Sequence, residues 1–187
     1  MGHHHAHHAL HLKTLAKDSG ATGPKNDSWQ VKLNDPAMSV MTDFRERAFF
    51  KVDADEHIDE ALKKMRHAGL RAAFVMEKHA DKLLGMITAY DIMGEKPLRF
   101  MQASGVGHND VLVGDVMEGL GEIATLDMRE LEHASVQSVL DALQKSGRTH
   151  LPVMEYADGE PPHLRGLFSS SKVLRLTEDS RRAAQAR

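Results

Sequence analysis

The spacing of apolar residues predicts two amphipathic helices. Apolar side chains recur at positions i, i+3, i+4 and i+7 in two segments, Ile58, Ala61, Leu62 and Met65 in the first and Val136, Val139, Leu140 and Leu143 in the second. This spacing places the four side chains of each segment on one face of a helix. Gly69 and Gly147 follow the two segments, and a glycine just beyond the last turn is typical of a helix C-terminus. The sequence therefore predicts one helix before each glycine.

Short apolar runs after these helices predict buried strands. They are bounded by turn residues and span Ala72–Met76, Leu83–Ile87, Leu151–Glu155 and Leu164–Phe168. Runs of this length and composition are typical of strands inside a protein core. The stretches KHADK and YADGEPP predict turns between the strands of each pair, and further helices are predicted from about Ala89 and Ser170.

The chain contains an internal repeat. GLRAAFVME at 69–77 recurs as GRTHLPVME at 147–155, 78 residues further along. Each copy lies in a unit of strand, helix, strand, strand and helix, so the predicted fold class is α/β (α+β) with a duplicated unit. The predicted segments are an N-terminal extension at 1–37, a first repeat at 38–102, a linker at 103–112, a second repeat at 113–176 and a C-terminal tail at 177–187.

Composition narrows the classes of function. Of the 187 residues, 41% are hydrophobic and 27% are charged, which is typical of a globular protein with a core of its own. A net charge of −3 argues against nucleic acid or an anionic membrane as a partner. The absence of cysteine excludes disulfides and thiolate metal sites. No apolar run is long enough to span a bilayer, and the N-terminus lacks the apolar core of a secretory signal, so a cytoplasmic location is predicted.

The N-terminal sequence MGHHHAHHALHL permits two interpretations. Several of its histidines are spaced i, i+4 and would share a helix face able to chelate Zn or Ni: His3, His4, His7, His8 and His11. The same stretch is also consistent with an affinity tag, and it is left out of the fold prediction. Further along, Trp29 is predicted to pack over the body of the protein.

Two equivalent strand-to-helix junctions carry candidate ligand-binding residues. GMITAYDI at 85–92 places Thr88 and Asp91 at the first junction, and GLFSSSKV at 166–173 places Ser169 and Lys172 at the same positions of the second. A hydroxyl followed three residues later by an acid can cap a helix. It can also hold a ligand, and the residues alone leave both interpretations open.

These features resemble the tandem cystathionine β-synthase (CBS) domain, or Bateman module. The signature of that family is Gly, two apolar residues, Ser or Thr, two variable residues and Asp. The resemblance covers about 140 of the 187 residues and includes MSVM at 38–41, GDVM at 114–117 and the HLPVME strand. It implies a pseudo-twofold pair of repeats, a cleft for an adenosine nucleotide (AMP, ADP or ATP-like), and stacking of two modules into a homodimer.

The resemblance also implies a role for each residue of the first junction. Thr88 would hold a phosphate, since a hydroxyl at a helix N-terminus can donate to it beside free backbone amides. Asp91 would hold the ribose, because an ionised carboxylate can accept both hydrogen bonds of the diol. Met86 and Ile87 either border the base or belong to the core.

The second junction departs from the family pattern. Lys172 has only donors, so it cannot replace Asp91 in binding a diol; it either neutralises phosphate or is a solvated helix residue. Arg148, His150 and Arg71 are candidates for phosphate-facing groups or plain surface residues. We therefore expect one well-defined nucleotide site, at Asp91, with the Ser169 cleft empty or weak.

No catalytic constellation is present in the sequence. HExxH, GxSxG and Walker-type motifs are absent. The resemblance therefore predicts a non-enzymatic regulatory module with no cofactor other than a regulatory nucleotide. Two alternatives stay open, a structural homodimerisation module with vestigial clefts and a metal-binding protein that uses the N-terminal histidines. Four apolar residues are candidates for the dimer surface or for the core beneath it: Ile58, Leu62, Leu140 and Leu143.

Overall fold

The computed structural model describes residue 14, residues 30–79 and residues 82–185. The strands are β1 Thr42–Asp43, β2 Lys51–Asp53, β3 Ala72–Met76, β4 Leu83–Thr88, β5 Glu118–Gly119, β6 Leu126–Asp127, β7 His150–Glu155 and β8 His163–Ser169. The α-helices are α1 Ile58–Ala68, α2 Ala89–Met93, α3 Lys96–Ser104, α4 Val113–Val116, α5 Met128–Leu131, α6 Val136–Ser146 and α7 Ser170–Gln185. Single 3-10 turns lie at Ala37–Val40 and His108–Asp110.

The strands form two sheets of the same design. One has the strand order β2-β3-β4-β5 and the other β1-β8-β7-β6. In each sheet the strands that flank α1 or α6 are parallel (β2 and β3, β6 and β7). The central pair of each sheet is antiparallel (β3 and β4, β7 and β8). The predicted α+β class and its duplicated unit are confirmed.

Local signals in the sequence place the main elements. The helices α1 and α6 end at Gly69 and Gly147, whose φ angles of 67° and 66° are left-handed and therefore favour glycine. Ile58 and Leu143 are buried in the core, while Leu62 and Leu140 are partly buried and pack against it. The apolar face of each helix therefore covers its own sheet.

Each repeat contributes a strand to the sheet of the other. Thr42 of β1 pairs with Leu167 of β8, and Glu118 of β5 pairs with Met86 of β4. The cores follow the same exchange. The second core includes Ala37, Val40 and Met41 from the start of the chain, and the first core includes Val111, Val113 and Val116 from beyond α3. The predicted repeats at 38–102 and 113–176 therefore share both sheets and both cores.

A glycine makes room for each exchanged strand. A Cβ atom at Gly85 would lie 2.2 Å from the carbonyl oxygen of Glu118, and one at Gly166 would lie 2.8 Å from the carbonyl oxygen of Thr42. These distances are far shorter than a carbon and an oxygen can approach without displacement. The glycine that begins each repeated apolar run thus allows the backbone of the exchanged strand to lie against it.

Three phenylalanines fix the segment between β1 and β2. Phe44 and Phe49 each pack edge-to-face on Phe74 of β3, with ring centroids 5.7 Å and 5.6 Å away. Edge-to-face pairs at this separation are favourable. The intervening loop is therefore held against the first sheet while β1 belongs to the second. In the described part of the chain, no helix combines the length and the apolar character needed to cross a membrane.

Candidate functional site

Thr88 and Asp91 form a reciprocal cap at the start of α2. The Thr88 Oγ1 accepts a hydrogen bond from the Asp91 backbone N–H at 3.1 Å. In return, the Asp91 Oδ2 accepts bonds from the Thr88 backbone N–H at 2.8 Å and from its hydroxyl at 2.6 Å. This arrangement satisfies donors that the first turn of a helix leaves free. The capping interpretation of this pair is therefore observed directly.

The second carboxylate oxygen of Asp91 is also engaged. Lys96, at the start of α3, places its Nζ 2.7 Å from the Asp91 Oδ1. Burial alone would raise the pKa of Asp91, but the hydrogen bonds from Lys96 and Thr88 outweigh it and hold the pKa below 3.8. Asp91 is therefore ionised at neutral pH and presents a fixed negative charge at this junction.

Arg148 reaches from the second repeat to the strand that completes the first sheet. Its two terminal nitrogens donate to the two carboxylate oxygens of Glu118 in β5, and one also donates to the Glu122 carbonyl at 2.9 Å. The hydrogen bonds to Glu118 raise the pKa of Arg148, and the charge of Asp91 acts in the same direction. Arg148 thus lies within electrostatic range of Asp91 and is held by a bidentate ion pair.

His150 is buried beside these charges. It is 7% exposed at the start of β7, and its Nδ1 lies 2.9 Å from the Thr149 hydroxyl. Burial and, to a lesser extent, the positive charge of Arg71 lower its pKa from 6.5 to about 4, against the opposing charge of Asp91. His150 is therefore neutral at pH 7 and can both donate and accept one hydrogen bond.

Three other candidates of the first repeat differ in exposure. Arg71 is exposed, and its Nη1 donates to the hydroxyl of Tyr90 at 3.1 Å. Ile87 has no exposed surface and belongs to the first core. Met86 is buried at the strand position paired with Glu118 of β5. Ile87 therefore packs in the core, and Met86 lies next to the exchanged strand.

The second junction has a different set of contacts. The Ser169 Oγ lies 3.0 Å from the Ser171 Oγ. The Lys172 Nζ donates to the Met41 carbonyl at 3.1 Å and to the Thr42 hydroxyl at 3.2 Å, both on or next to β1. Burial lowers the pKa of Lys172, and the positive charges of Arg47 and Arg175 lower it further.

The candidate residues therefore fall into two groups. The first, which we name the Asp91 cluster, joins both repeats and consists of Arg71, Thr88, Asp91, Arg148 and His150. The second, the Lys172 cluster, consists of Thr42, Arg47, Lys172 and Arg175, while Ser169 lies opposite His150 in the pairing of β7 with β8. Each cluster lies where an exchanged strand meets the end of β4 or β8.

Sequence reasoning missed two residues of the first junction, Lys96 and Glu118. Glu118 follows GDVM as Thr42 follows MSVM, so comparison of the two openings could have placed both beside their junctions. The pairing of Lys96 with Asp91 has no sequence signal, because it depends on the turn between α2 and α3.

The N-terminal histidines and Trp29 lie outside the described residues. Within the described ranges, no group of three or more His, Asp or Glu side chains is placed to hold a metal ion. The proposed histidine chelate therefore stays a prediction.

Comparisons with known proteins match one family model to part of the chain and relate its fold to solved structures. Residues 38–97 match the family model for the CBS domain. CBSX2, a CBS-pair protein of Arabidopsis thaliana solved in complex with AMP, is 19% identical with a TM-score of 0.52, covering 81% of this chain and 98% of that one. A CBS-domain protein of Agrobacterium tumefaciens is 16% identical with a TM-score of 0.54, covering 77% and 94%. No curated protein matches the sequence.

The fold is that of a CBS pair, in which two CBS repeats form one Bateman module. Residues 38–97 match the CBS domain, and over both repeats the likeness to solved CBS-domain structures is one of fold.

Proposed function

We propose that this protein is a non-enzymatic regulatory module that binds an adenosine nucleotide (AMP, ADP or ATP-like) at the Asp91 cluster. One observation carries the proposal: the ionised Asp91 carboxylate, hydrogen-bonded to the Thr88 hydroxyl, lies within electrostatic range of Arg148 and His150 of the second repeat. This set offers acceptors for a ribose diol and donors for a phosphate. The AMP complex of CBSX2, a protein of the same fold, supports the choice of nucleotide.

The proposed ligand replaces two existing ion pairs. The ribose hydroxyls donate to Asp91 in place of Lys96, which now lies 2.7 Å from its Oδ1. The phosphate accepts bonds from Thr88 and from Arg148, which now pairs with Glu118. A dianionic phosphate offers more charge and more acceptor oxygens than one carboxylate, so it competes effectively for a guanidinium.

This change of partner by Arg148 suggests how ligand binding is transmitted to a partner protein. Glu118 lies on β5, the strand that joins the first sheet from beyond the linker. When Arg148 turns from Glu118 to the ligand, β5 in the first sheet loses its ion pair to Arg148, which precedes β7 of the second sheet. The ligand thereby changes the contacts between the repeats, and a partner that binds across them senses the difference.

Calorimetric titration of AMP tests the proposed site. A hydrogen bond to a charged group contributes about 1.5 to 3 kcal/mol, so Asp91→Ala should weaken AMP binding by about 10- to 150-fold. Lys172→Ala, which changes the equivalent position of the second repeat, should weaken it much less. Circular dichroism and unfolding of each variant control for the loss of the helix cap.

Equal losses in the two variants, or a loss in Lys172→Ala alone, would place the nucleotide at the second junction instead. Failure of the wild type to bind AMP, ADP or ATP at millimolar concentration would leave Thr88 and Asp91 as a capping pair.

A second function, homodimerisation, is favoured by an exposed apolar surface. Leu70, Tyr90 and Met93 are 45%, 49% and 58% exposed and line, with Leu62, a groove of about 510 Å³ between α1 and α2. A matching groove of about 340 Å³ lies between α6 and α7. Contiguous apolar surface of this kind is typical of protein interfaces. We therefore propose that two modules stack through these helices.

Light scattering tests the homodimer. The wild type should have the mass of two chains at micromolar concentration, and Met93→Lys should shift it to one chain because an ammonium beside Arg66 would be buried without an anion. Glu60→Lys, at an exposed position of α1, is the matched control and should stay dimeric. A wild type that is monomeric throughout this range would remove the proposal.

A further inference from the structure

The two apolar grooves on the helices differ in the charge of their walls. Arg66 and Arg71 are the charged side chains that line the groove between α1 and α2, and among the described residues no acid lines it. The groove between α6 and α7 is lined by one acid, Asp141, and by Arg148, which already pairs with Glu118. The α1–α2 groove therefore has an excess of positive charge, and the α6–α7 groove has an unmatched negative charge.

The two arginines of the α1–α2 groove lie beside its exposed apolar side chains. The Arg66 Nη2 is 4.0 Å from the Met93 sulfur, and the Arg71 Nη1 donates to the Tyr90 hydroxyl at 3.1 Å. Both arginines are exposed, and over the part of the chain that the structure describes neither makes an ion pair. Both guanidiniums can therefore pair with an acid of another molecule.

Asp141 is the unmatched charge of the α6–α7 groove. It is exposed on α6, and its Oδ1 accepts a hydrogen bond from the Gln137 side-chain amide at 2.7 Å. Within the described ranges it makes no ion pair. A carboxylate has about four lone-pair sites, so Asp141 can still accept hydrogen bonds from a guanidinium of another molecule.

Two identical modules can stack in two orientations through these grooves. In a head-to-head dimer each groove meets its own copy, so the arginines of two α1–α2 grooves come together without an acid. In a head-to-tail dimer each α1–α2 groove meets an α6–α7 groove, so Asp141 of the partner subunit faces Arg66 and Arg71. A twofold axis relates the chains in either orientation, so both dimers are closed. Like charges brought together in an interface cost free energy, and opposite charges favour the contact.

We propose that the homodimer is head-to-tail, with the α1–α2 groove of each chain stacked on the α6–α7 groove of the other. This orientation rests on the homodimer proposed above and is determined by Arg66, Arg71 and Asp141. It also determines what lies beside the proposed nucleotide site. Arg71 belongs to the Asp91 cluster, so a carboxylate of the second chain borders the cluster of the first.

Thiol crosslinking tests the orientation, because the chain contains no cysteine and each introduced thiol is unique. Met93→Cys labels the α1–α2 groove, and Leu174→Cys labels the α6–α7 groove. With a short bismaleimide, each variant alone should give little crosslinked dimer. An equimolar mixture, after exchange of subunits, should give a dimer that mass spectrometry identifies as one chain of each kind. Crosslinking within either variant alone, without the mixed product, would show head-to-head stacking and overturn the proposal.

Light scattering on the same samples distinguishes failure of the orientation from failure of the homodimer. A dimeric mass with crosslinks only within one variant would remove the orientation and keep the homodimer. A monomeric mass for the wild type and both variants would remove both.

Reversal of one charge tests the cause of the orientation. Asp141→Lys should weaken the dimer about tenfold, because a cation then faces Arg66 and Arg71. Adding Arg66→Glu should recover part of this loss, since the new carboxylate faces the new ammonium. In a head-to-head dimer, Asp141→Lys would only exchange one contact between like charges for another.

A matched control makes the same change of charge elsewhere. Glu132 is exposed at the end of α5, outside both grooves, so Glu132→Lys should dimerise like the wild type. The dissociation constant of each variant follows from light scattering across a dilution series. An unchanged constant in Asp141→Lys, or an equal loss in Glu132→Lys, would overturn the proposed pairing.

Discussion

Helix capping and the proposed ligand binding use the same oxygens of the Asp91 carboxylate. It caps α2 through Thr88 and pairs with Lys96, and the proposed ligand needs at least one of these oxygens as an acceptor. A carboxylate has about four lone-pair sites, so the cap and a ribose can be served together once Lys96 moves away. The capping and binding interpretations of the motif are therefore compatible in one side chain.

Glu118 is expected to oppose nucleotide binding. It holds Arg148 through both carboxylate oxygens and adds a negative charge near the proposed phosphate. Glu118→Gln weakens the ion pair with Arg148, so AMP should bind about fivefold more tightly, as measured by calorimetry. Adenosine, which has no phosphate, is the control and should bind the variant and the wild type alike. Weaker binding of AMP to the variant would show that Arg148 does not meet the phosphate.

His150 is expected to make stability depend on pH. Its folded-state pKa of about 4 lies below the ordinary 6.5, so between these values the unfolded chain binds a proton that the folded chain does not. The free energy of unfolding is therefore unaffected by this histidine above about pH 6.5. It falls as the pH drops towards 4, by at most about 1.4 kcal/mol per pH unit.

Urea unfolding between about pH 7 and 4.5 measures this dependence. His150→Gln should show a shallower fall in the free energy of unfolding than the wild type, whatever its stability at pH 7. His67→Gln, which alters an exposed histidine of α1, should keep the wild-type slope. Identical slopes in all three proteins would exclude His150 as the source.

At the scale of elements, the sequence predicts those helices and strands whose residues follow a local apolar pattern. Helices α1 and α6 follow from apolar spacing and a C-terminal glycine, and the central strands follow from their apolar runs. Strands β1 and β5 have two residues each, which is too short for any periodicity. Their partners lie far away in the sequence, as Thr42 and Leu167 illustrate. The exchange could not be derived from spacing.

The same limit applies to the Asp91 cluster. Thr88 and Asp91 are predictable because they share one motif on one junction. The electrostatic proximity of Asp91 to Arg148 and His150 depends on how the two repeats are arranged, which no local pattern specifies. The ion pairs to Lys96 and Glu118 depend on a turn and on the exchanged strand.

The close contact at Gly85 predicts a sensitive position on β4. Gly85→Ala would place a Cβ atom 2.2 Å from the Glu118 carbonyl oxygen, so β5 must move and the protein should lose about 1 to 3 kcal/mol of stability. The shift in the urea midpoint measures it. Gly121→Ala, where a Cβ atom would meet nothing within 4 Å, is the control and should change stability by less than about 0.5 kcal/mol. An unchanged midpoint in Gly85→Ala would mean that the strand yields without cost.

At the scale of the whole molecule, the two repeats share a backbone plan but differ in charge. The Asp91 cluster combines an anion with cations from both repeats, and the Lys172 cluster contains cations and hydroxyls. Because the exchanged strands β1 and β5 lie beside these clusters, a ligand at the first of them contacts a sheet that both repeats build. We therefore expect a ligand at the Asp91 cluster to affect both halves.

The strand exchange also determines when the protein can fold during its synthesis. Val40 and Met41 leave the ribosome early, yet Phe168, with which they share a core, is made roughly 130 residues later, on the order of ten seconds at typical elongation rates. We expect the nascent segment around these residues to stay open to proteases until β8 has emerged, and digestion of stalled chains of increasing length would reveal the moment of closure. Meanwhile its apolar side chains are free to meet a chaperone or a neighbouring nascent chain.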